Sequence, residues 1–316
     1  MWLGRDAQFR AEGRACVEAA LARRAPSAAQ AAVARLYFGL ALLRTHGELP
    51  VRLTTLDRAL RLWDGDPSSG WLRCYAQIEH GRTLCSLGDI DAAQASPRQA
   101  RALLDASATA RVRGLLLLAE ASLWHRRGQL QSAALANQEA ARMLTACGAD
   151  SLTLCALNNL ADIAWSRGDL ATAATGFARA TEAARRSSFA SARSIGHPLG
   201  NLAGVLLELG RLDEASSAIA QALPLLCEAN SAWDFCDVLA LRCALVHRYA
   251  DAAYVIGFVD RRYTAIGEER QANESRMRAH ALKVLEACIA AEEIARLMRF
   301  GAELTEDEAL HMATKP

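Results

Sequence analysis

Apolar residues recur along this chain at helical spacing, in stretches that share one plan. Leu157, Leu160, Ala161 and Ala164 fall on one face of a helix, and Leu199, Leu202, Ala203 and Leu206 do the same in the next stretch. Each such stretch closes on a glycine in a similar setting: RTHGELPVR at Gly47, CSLGDIDAA at Gly88, HRRGQLQSA at Gly128, WSRGDLATA at Gly168 and LELGRLDEA at Gly210. Glycine takes the left-handed conformation that ends a helix at little steric cost. The five glycines stand 41, 40, 40 and 42 residues apart, and a steady period of this length marks a repeat array. Five residues after the glycine comes Ala93, Ala133, Ala173 or Ala215, where a second helix must approach closely. In the clearest copies Phe177 or Ile219 follows, then Ala180 or Ala222.

Helix, glycine turn and small-residue second helix resemble the tetratricopeptide repeat, and the unit at 155–186 matches its signature well. The resemblance implies an all-α fold of helical hairpins stacked as a right-handed superhelical solenoid. The period of about 41 exceeds the usual 34 by about two helical turns, one for each helix. The solenoid is expected over 1–262, with an N-terminal hairpin at 1–27, and a helical cap continuous with it over 263–316. Pro97 and Pro224 fall inside second helices, where each removes a backbone hydrogen bond and is expected to kink or restart the helix; Ser96-Pro97 also reads as the cap and first position of a shortened helix. DGDPSSG (64–70) and RSSFASARSIGHPLG (186–200) read as loops.

Composition adds little to this picture but removes alternatives. Apolar residues make up 52% of the chain and aromatics only 6%, which suits closely packed helices rather than strands. A net charge of +1 gives no reason to expect nucleic acid or an acidic membrane as a direct partner. None of the nine cysteines forms a Cys-x-x-Cys pair, and Met1 does not open a secretory leader. Reduced thiols and a cytoplasmic location are the expectation. No run of 18 apolar residues is present, so a membrane span is not expected.

The two ends depart from the repeat and carry a family resemblance. FRAEGRACVEAALARRAPS (9–27) resembles the segment where helical repeats begin in the ATP-binding LuxR-type and AfsR-type bacterial regulators, the signal-transduction ATPases. YADAAYVIGFVDRRYTAIG (249–267) and the stretch from Arg276 to Ala313 resemble their closing segments, with Gly301, Leu304, Thr305, Asp307, Glu308 and Ala309 in the matching places. Such proteins carry a DNA-binding domain and a P-loop ATPase ahead of the repeats. This chain holds no Gly-x-x-x-x-Gly-Lys-Ser/Thr loop and no basic recognition helix. The resemblance therefore implies the sensor part of such a regulator; a free-standing repeat adaptor joining two proteins is the alternative.

No catalytic constellation stands out, and the chain reads as a non-enzyme without cofactor or metal. Cys243, His247 and Asp251 lie one helical turn apart, a spacing that a metal can use, yet they also read as a buried thiol, a helix end and a turn carboxylate. Asp307 and Glu308 sit in LTEDEA, where Thr305 and Glu308 read as a capping box rather than an acid–base pair. In stacked hairpins the first helices line the concave surface. Counting back from each turn glycine places Tyr37 and Arg44, then Glu79 and Arg82, on that face. Ser122, His125 and Arg126 follow, then Asn158, Asp162 and Trp165, then Asn201 and Glu208. The expected occupant is a protein, a peptide or a small-molecule inducer, with Trp165 as an aromatic platform. Asn159 and Asn201 also read as structural hydrogen-bonders between helices.

Overall fold

The computed structural model describes residues 7–25, 29–44, 48–64, 66, 70–104, 108–188 and 190–315, and every regular element among them is helical. It divides into two compact units: 1–156 with 267–269, and 157–266 with 270–316.

The first unit holds α1 (Ala7–Ala22), α2 (Gln30–Leu43), α3 (Leu49–Leu62), α4 (Gly70–Ser86), α5 (Ile90–Ala93), α6 (Ala95–Ala102), α7 (Ala110–Arg126), α8 (Leu130–Ala146) and the start of α9 (Asp150–Ser166). Helices adjacent in sequence pack as antiparallel neighbours around small clusters of apolar side chains. Phe38 meets Trp63 and Tyr75 edge-on, with ring centroids 5.8 and 5.3 Å apart. Cys74 and Ile78 of α4 pack with Leu115, Leu116 and Ala119 of α7.

The second unit takes the rest of α9, then α10 (Leu170–Arg186), α11 (Ala192–Glu208), α12 (Leu212–Glu228), a 3-10 turn (Trp233–Phe235), α13 (Cys236–Leu245), α14 (Tyr249–Ile266), α15 (Ala272–Cys288), α16 (Ala291–Gly301) and α17 (Glu306–Thr314). One continuous core runs through it, from Ala161 to Ala313. The expected second-helix positions are its inner lining: Ala173 and Phe177 are fully buried and Ala180 is 1% exposed. A Cβ on Gly176 would sit 2.7 Å from that of Ala161, so α10 lies against α9 at glycine-to-alanine distance.

The helices α7 through α12 each run 17 residues. The turn glycines at 88, 128, 168 and 210 all have left-handed φ, at 82°, 72°, 79° and 72°; Gly47 lies outside the described residues. After α13 the same turn is made by His247, with φ 63°. Its backbone bonds, from His247 to the Ala244 carbonyl and from Arg248 to that of Cys243, repeat those at Gly128.

Three expectations change. The stretch 186–200 is not a loop throughout, because α11 begins at Ala192. Ser191 and Ser194 cap it reciprocally, Pro198 sits within its second turn, Gly200 faces Phe235 too closely for a side chain, and Gly196 lies tight against Leu226. Pro224 does not interrupt α12, whereas the helix around Pro97 does break. Proline's ring clashes with the carbonyl four residues earlier, here Ala93, the last residue of α5. Finally, α14 runs unbroken through Tyr263 to Ile266 and ends at left-handed Gly267, so the boundary placed at 262/263 falls within it.

The closing helices cover the last hairpin: α15 packs on α13, and α16 and α17 pack on α14. Helices α14 and α16 cross at backbone contact, where a Cβ on Gly257 would lie 2.0 Å from the Met298 carbonyl oxygen and one on Gly301 2.0 Å from that of Tyr254. Thr305 and Glu308 form the capping box of α17, as expected. Among the described residues no helix is long and apolar enough to cross a membrane.

Candidate functional site

In the first unit the groove positions carry charge, and most of it is already shared between helices. Glu79 of α4, 4% exposed, accepts from Arg52 of α3 and from Arg82 at 3.1 Å. Burying a carboxylate in this way is favourable only because both guanidiniums accompany it. Arg44 lies 3.1 Å from Glu48 and 3.6 Å from Glu18, and Arg14 reaches Glu48 at 2.7 Å. Tyr37 is half-buried beneath the Arg58 guanidinium, 5.2 Å from the ring centroid. The Ser122 hydroxyl donates to the Leu118 carbonyl at 3.0 Å. Burial, reinforced by the charge of Arg126, lowers the His125 pKa.

Tyr75 stands one turn before Glu79, outside the positions counted from the glycines. Its phenol is pushed above the usual range by burial and by Glu79, against the opposing charges of Arg82, Arg111 and Arg52. Cys155 stands thirteen residues before Gly168, as Tyr75 does before Gly88; one further step in the same count finds both. Arg52 belongs to a second helix, which that count never reaches.

The second unit treats its groove positions differently. Trp165 is 1% exposed, so it is a core residue and not an open platform. Its indole packs edge-on against Phe177 at 6.1 Å and donates to Glu208 at 2.6 Å. A Cβ on Gly204 would press on this ring and on Met277 of α15. Arg276 of α15 completes the cluster, donating to Glu208 at 2.6 Å and to the Trp165 carbonyl at 3.2 Å. Asn273, one turn earlier on α15, donates to Asp162. Asn158 and Asn201 meet each other at 3.4 Å. Here the acids of α9 and α11 expected to line a groove, Asp162 and Glu208, face donors from α15. These partners lie 68 and 111 residues away in sequence, and no periodicity points to them.

Two arrangements bear on chemistry. Cys243, His247 and Asp251 do not converge: the buried thiol donates to the Ala313 carbonyl, the imidazole meets the Tyr249 hydroxyl at 2.7 Å, and Asp251 pairs with Arg248. Among the described residues no group of three potential metal ligands forms. Asp57, His80 and Ser96 do align, with His80 Nε2 3.1 Å from Asp57 and its Nδ1 2.8 Å from the Ser96 hydroxyl. Ser96 is 2% exposed and presses beneath Gly81. With no room for a substrate at the hydroxyl, the chain Asp57–His80–Ser96 ties α3, α4 and α6 together.

Paired helices closed by left-handed glycines, with polar first-helix faces, define a tetratricopeptide-type repeat scaffold. The model of the MalT-like TPR region matches residues 76–253, and the chain belongs to that family. This bears out the family resemblance drawn from the sequence. No curated protein matches the chain. Among solved structures, the APC/C hetero-tetramer Cut9-Hcn1 is similar at 16% identity and TM-score 0.58, over 86% of this chain and 46% of that one. Aspartyl phosphate phosphatase F from Bacillus subtilis follows at 14% identity and 0.55, over 87% and 74%. PH0952 from Pyrococcus horikoshii, a signal transduction ATPase with a tetratricopeptide repeat sensor, is similar at 10% identity and 0.54, over 96% and 48%. At these identities the likeness establishes the fold alone. The chain spans about half the length of the Cut9-Hcn1 and PH0952 chains.

Proposed function

We propose that this chain is a non-catalytic binding module, the cytoplasmic sensor part of a bacterial transcriptional regulator of the signal-transduction ATPase kind. Its first-helix face receives a protein, peptide or small-molecule inducer, and ATPase and DNA-binding parts outside these residues turn that binding into transcription. The observation that carries the reading is membership of the MalT-like TPR family, joined to a first unit whose groove positions present half-exposed Arg82 beside Tyr75 and Glu79. The likeness to PH0952 supports the regulator context.

A thermal-shift screen of peptides and small molecules on the purified chain tests it. A ligand at one hundred times its Kd stabilises a folded protein by about 2.7 kcal/mol, and a groove ligand should lose that shift in Arg82→Ala. A screen in which no compound or peptide raises Tm would count against a sensor. The alternative of a free-standing adaptor is separated by the reading frame upstream of Met1, where an in-frame Gly-Lys-Ser/Thr loop favours the regulator and a stop codon the adaptor.

A further inference from the structure

Helix α16 buries Ile294, Leu297 and Gly301 on its inner side, against α14, and presents Glu292, Ala295, Arg296, Arg299 and Phe300 to solvent. Phe300 is 57% exposed; among the described residues of the second unit, Leu209 at 37% is the other large apolar side chain left open. The Phe300 ring leans on half-buried Tyr254, with centroids 5.3 Å apart. The charges of this face divide into two kinds. Arg296 folds back onto Glu293 through two hydrogen bonds of 2.7 Å, so that pair is complete within the helix. Glu292 and Arg299 enter no ion pair or hydrogen bond among the described residues. They stand seven residues apart, about 20° short of two full turns. The two therefore share one stripe, about 10 Å apart along the helix, with exposed Ala295 between them.

We propose that the outer face of α16 is a self-association surface, on which two copies of this chain pair antiparallel about a twofold axis beside Ala295. Glu292 of each copy then meets the partner's Arg299, and the contact is made twice by symmetry. A stripe with an acid at one end, an arginine at the other and a small residue between is its own complement when reversed end for end. A purely acidic or purely basic partner would satisfy one end and be repelled at the other. The short alanines let the two helix axes approach to about 8 Å, and Phe300 lies at the edge of the contact, where pairing removes part of its ring from water. A single helix face falls short of the about 1,200 Å² of a standard interface, so the association is weak, with a Kd on the order of 100 µM. This pairing is independent of what the first-helix face receives.

Sedimentation equilibrium of the full chain tests this, run from about 10 µM to about 1 mM to bracket that Kd. A reductant is present because five cysteines are exposed. The parent chain should shift from monomer to dimer with concentration, and less so as salt screens the exposed pairs. Glu292→Arg and Arg299→Glu each turn two attractions into two repulsions, and each should weaken the dimer at least tenfold. Both residues are exposed and unbonded, so circular dichroism and melting of either variant should match the parent. The double variant Glu292→Arg/Arg299→Glu restores the complement in reverse order, and should dimerise within about threefold of the parent. Mixing the two single variants in equal amounts should give a heterodimer, because one then carries two arginines and the other two glutamates on the stripe. A parent chain that stays monomeric across the range would overturn the proposal. So would a dimer that both reversals leave unchanged, or single variants that remain monomers when mixed.

Discussion

At the scale of the residue, backbone closeness decides more than side-chain chemistry. Gly257 and Gly301 are legible in the sequence only as members of a resemblance, yet they set the α14–α16 crossing. Gly257→Ala would drive a methyl to within 2.0 Å of the Met298 carbonyl oxygen. Overpacking against side chains costs about 1–3 kcal/mol, and a clash with backbone belongs at or above the top of that range. Denaturant unfolding of the variant checks this, and a loss under about 1 kcal/mol would show that the crossing can relax. His247 illustrates the converse. Its left-handed φ copies the turn glycines although its side chain is not one the repeat pattern selects, because the turn's hydrogen bonds and buried α13 leave the chain no other path.

At the scale of the element, α15 is the piece whose placement changes the reading of its neighbours. It sets Asn273 on Asp162 and Arg276 on Glu208, and Met277, Ala281 and Leu285 are fully buried. Trp165→Ala therefore removes a core side chain, and should cost about 3–5 kcal/mol, the range for large aromatic truncations. A variant that melts with the parent protein would return Trp165 to the surface. The N-terminal approach to α15 is also a titrating junction. Arg270 meets Asp237 of α13 at 2.8 Å and Asp260 of α14 at 2.7 Å, and Arg278 holds Asp260 at 2.7 Å. Burial pushes the Asp237 carboxyl up to about 7 despite the lowering pull of Arg270. The folded chain thus keeps a proton that the unfolded carboxyl, near 3.9, has released. Stability from this group is present at low pH and is lost as pH rises from about 4 to about 7. Unfolding free energies measured across that window should fall with pH, and Asp237→Asn should flatten the slope.

At the scale of the whole molecule, the two units differ in what covers their first helices. In the second, donors of α15 satisfy the acids of α9 and α11; in the first, Arg52 and Arg101 of second helices satisfy Glu79 and Glu120, with half-exposed Arg82 of α4 sharing Glu79. Binding and stability should accordingly separate. Arg276→Ala is expected to lower Tm, because Glu208 loses its charged partner at a buried indole, while leaving partner affinity unchanged. Arg82→Ala takes one of two guanidiniums from buried Glu79, so it is expected to lower Tm as well and, unlike Arg276→Ala, to weaken ligand binding. Melting curves and titrations of both variants with one ligand check the pair, and a common loss of affinity would place binding in the second unit as well.

Much of the fold was legible because it follows from local chemistry repeated in order. Apolar spacing gave the helices, glycines 88, 128, 168 and 210 their ends, and Ala173, Phe177 and Ala180 the buried faces. Thr305 and Glu308 announced the last cap. Legibility failed where a distant partner outweighs a local signal. Ser, Gly and Pro between 186 and 200 look like a loop until Leu226 and Phe235 press on the glycines. Trp165 looks like a groove platform until α15 arrives over it. The sequence by itself determined a family of helical hairpins and which face of each helix turns inward, since period and propensity are properties of neighbouring residues. Only the tertiary structure decided which polar positions are satisfied within the fold and which are left to a partner, because a buried charge is settled by whichever chain segment comes to lie beside it.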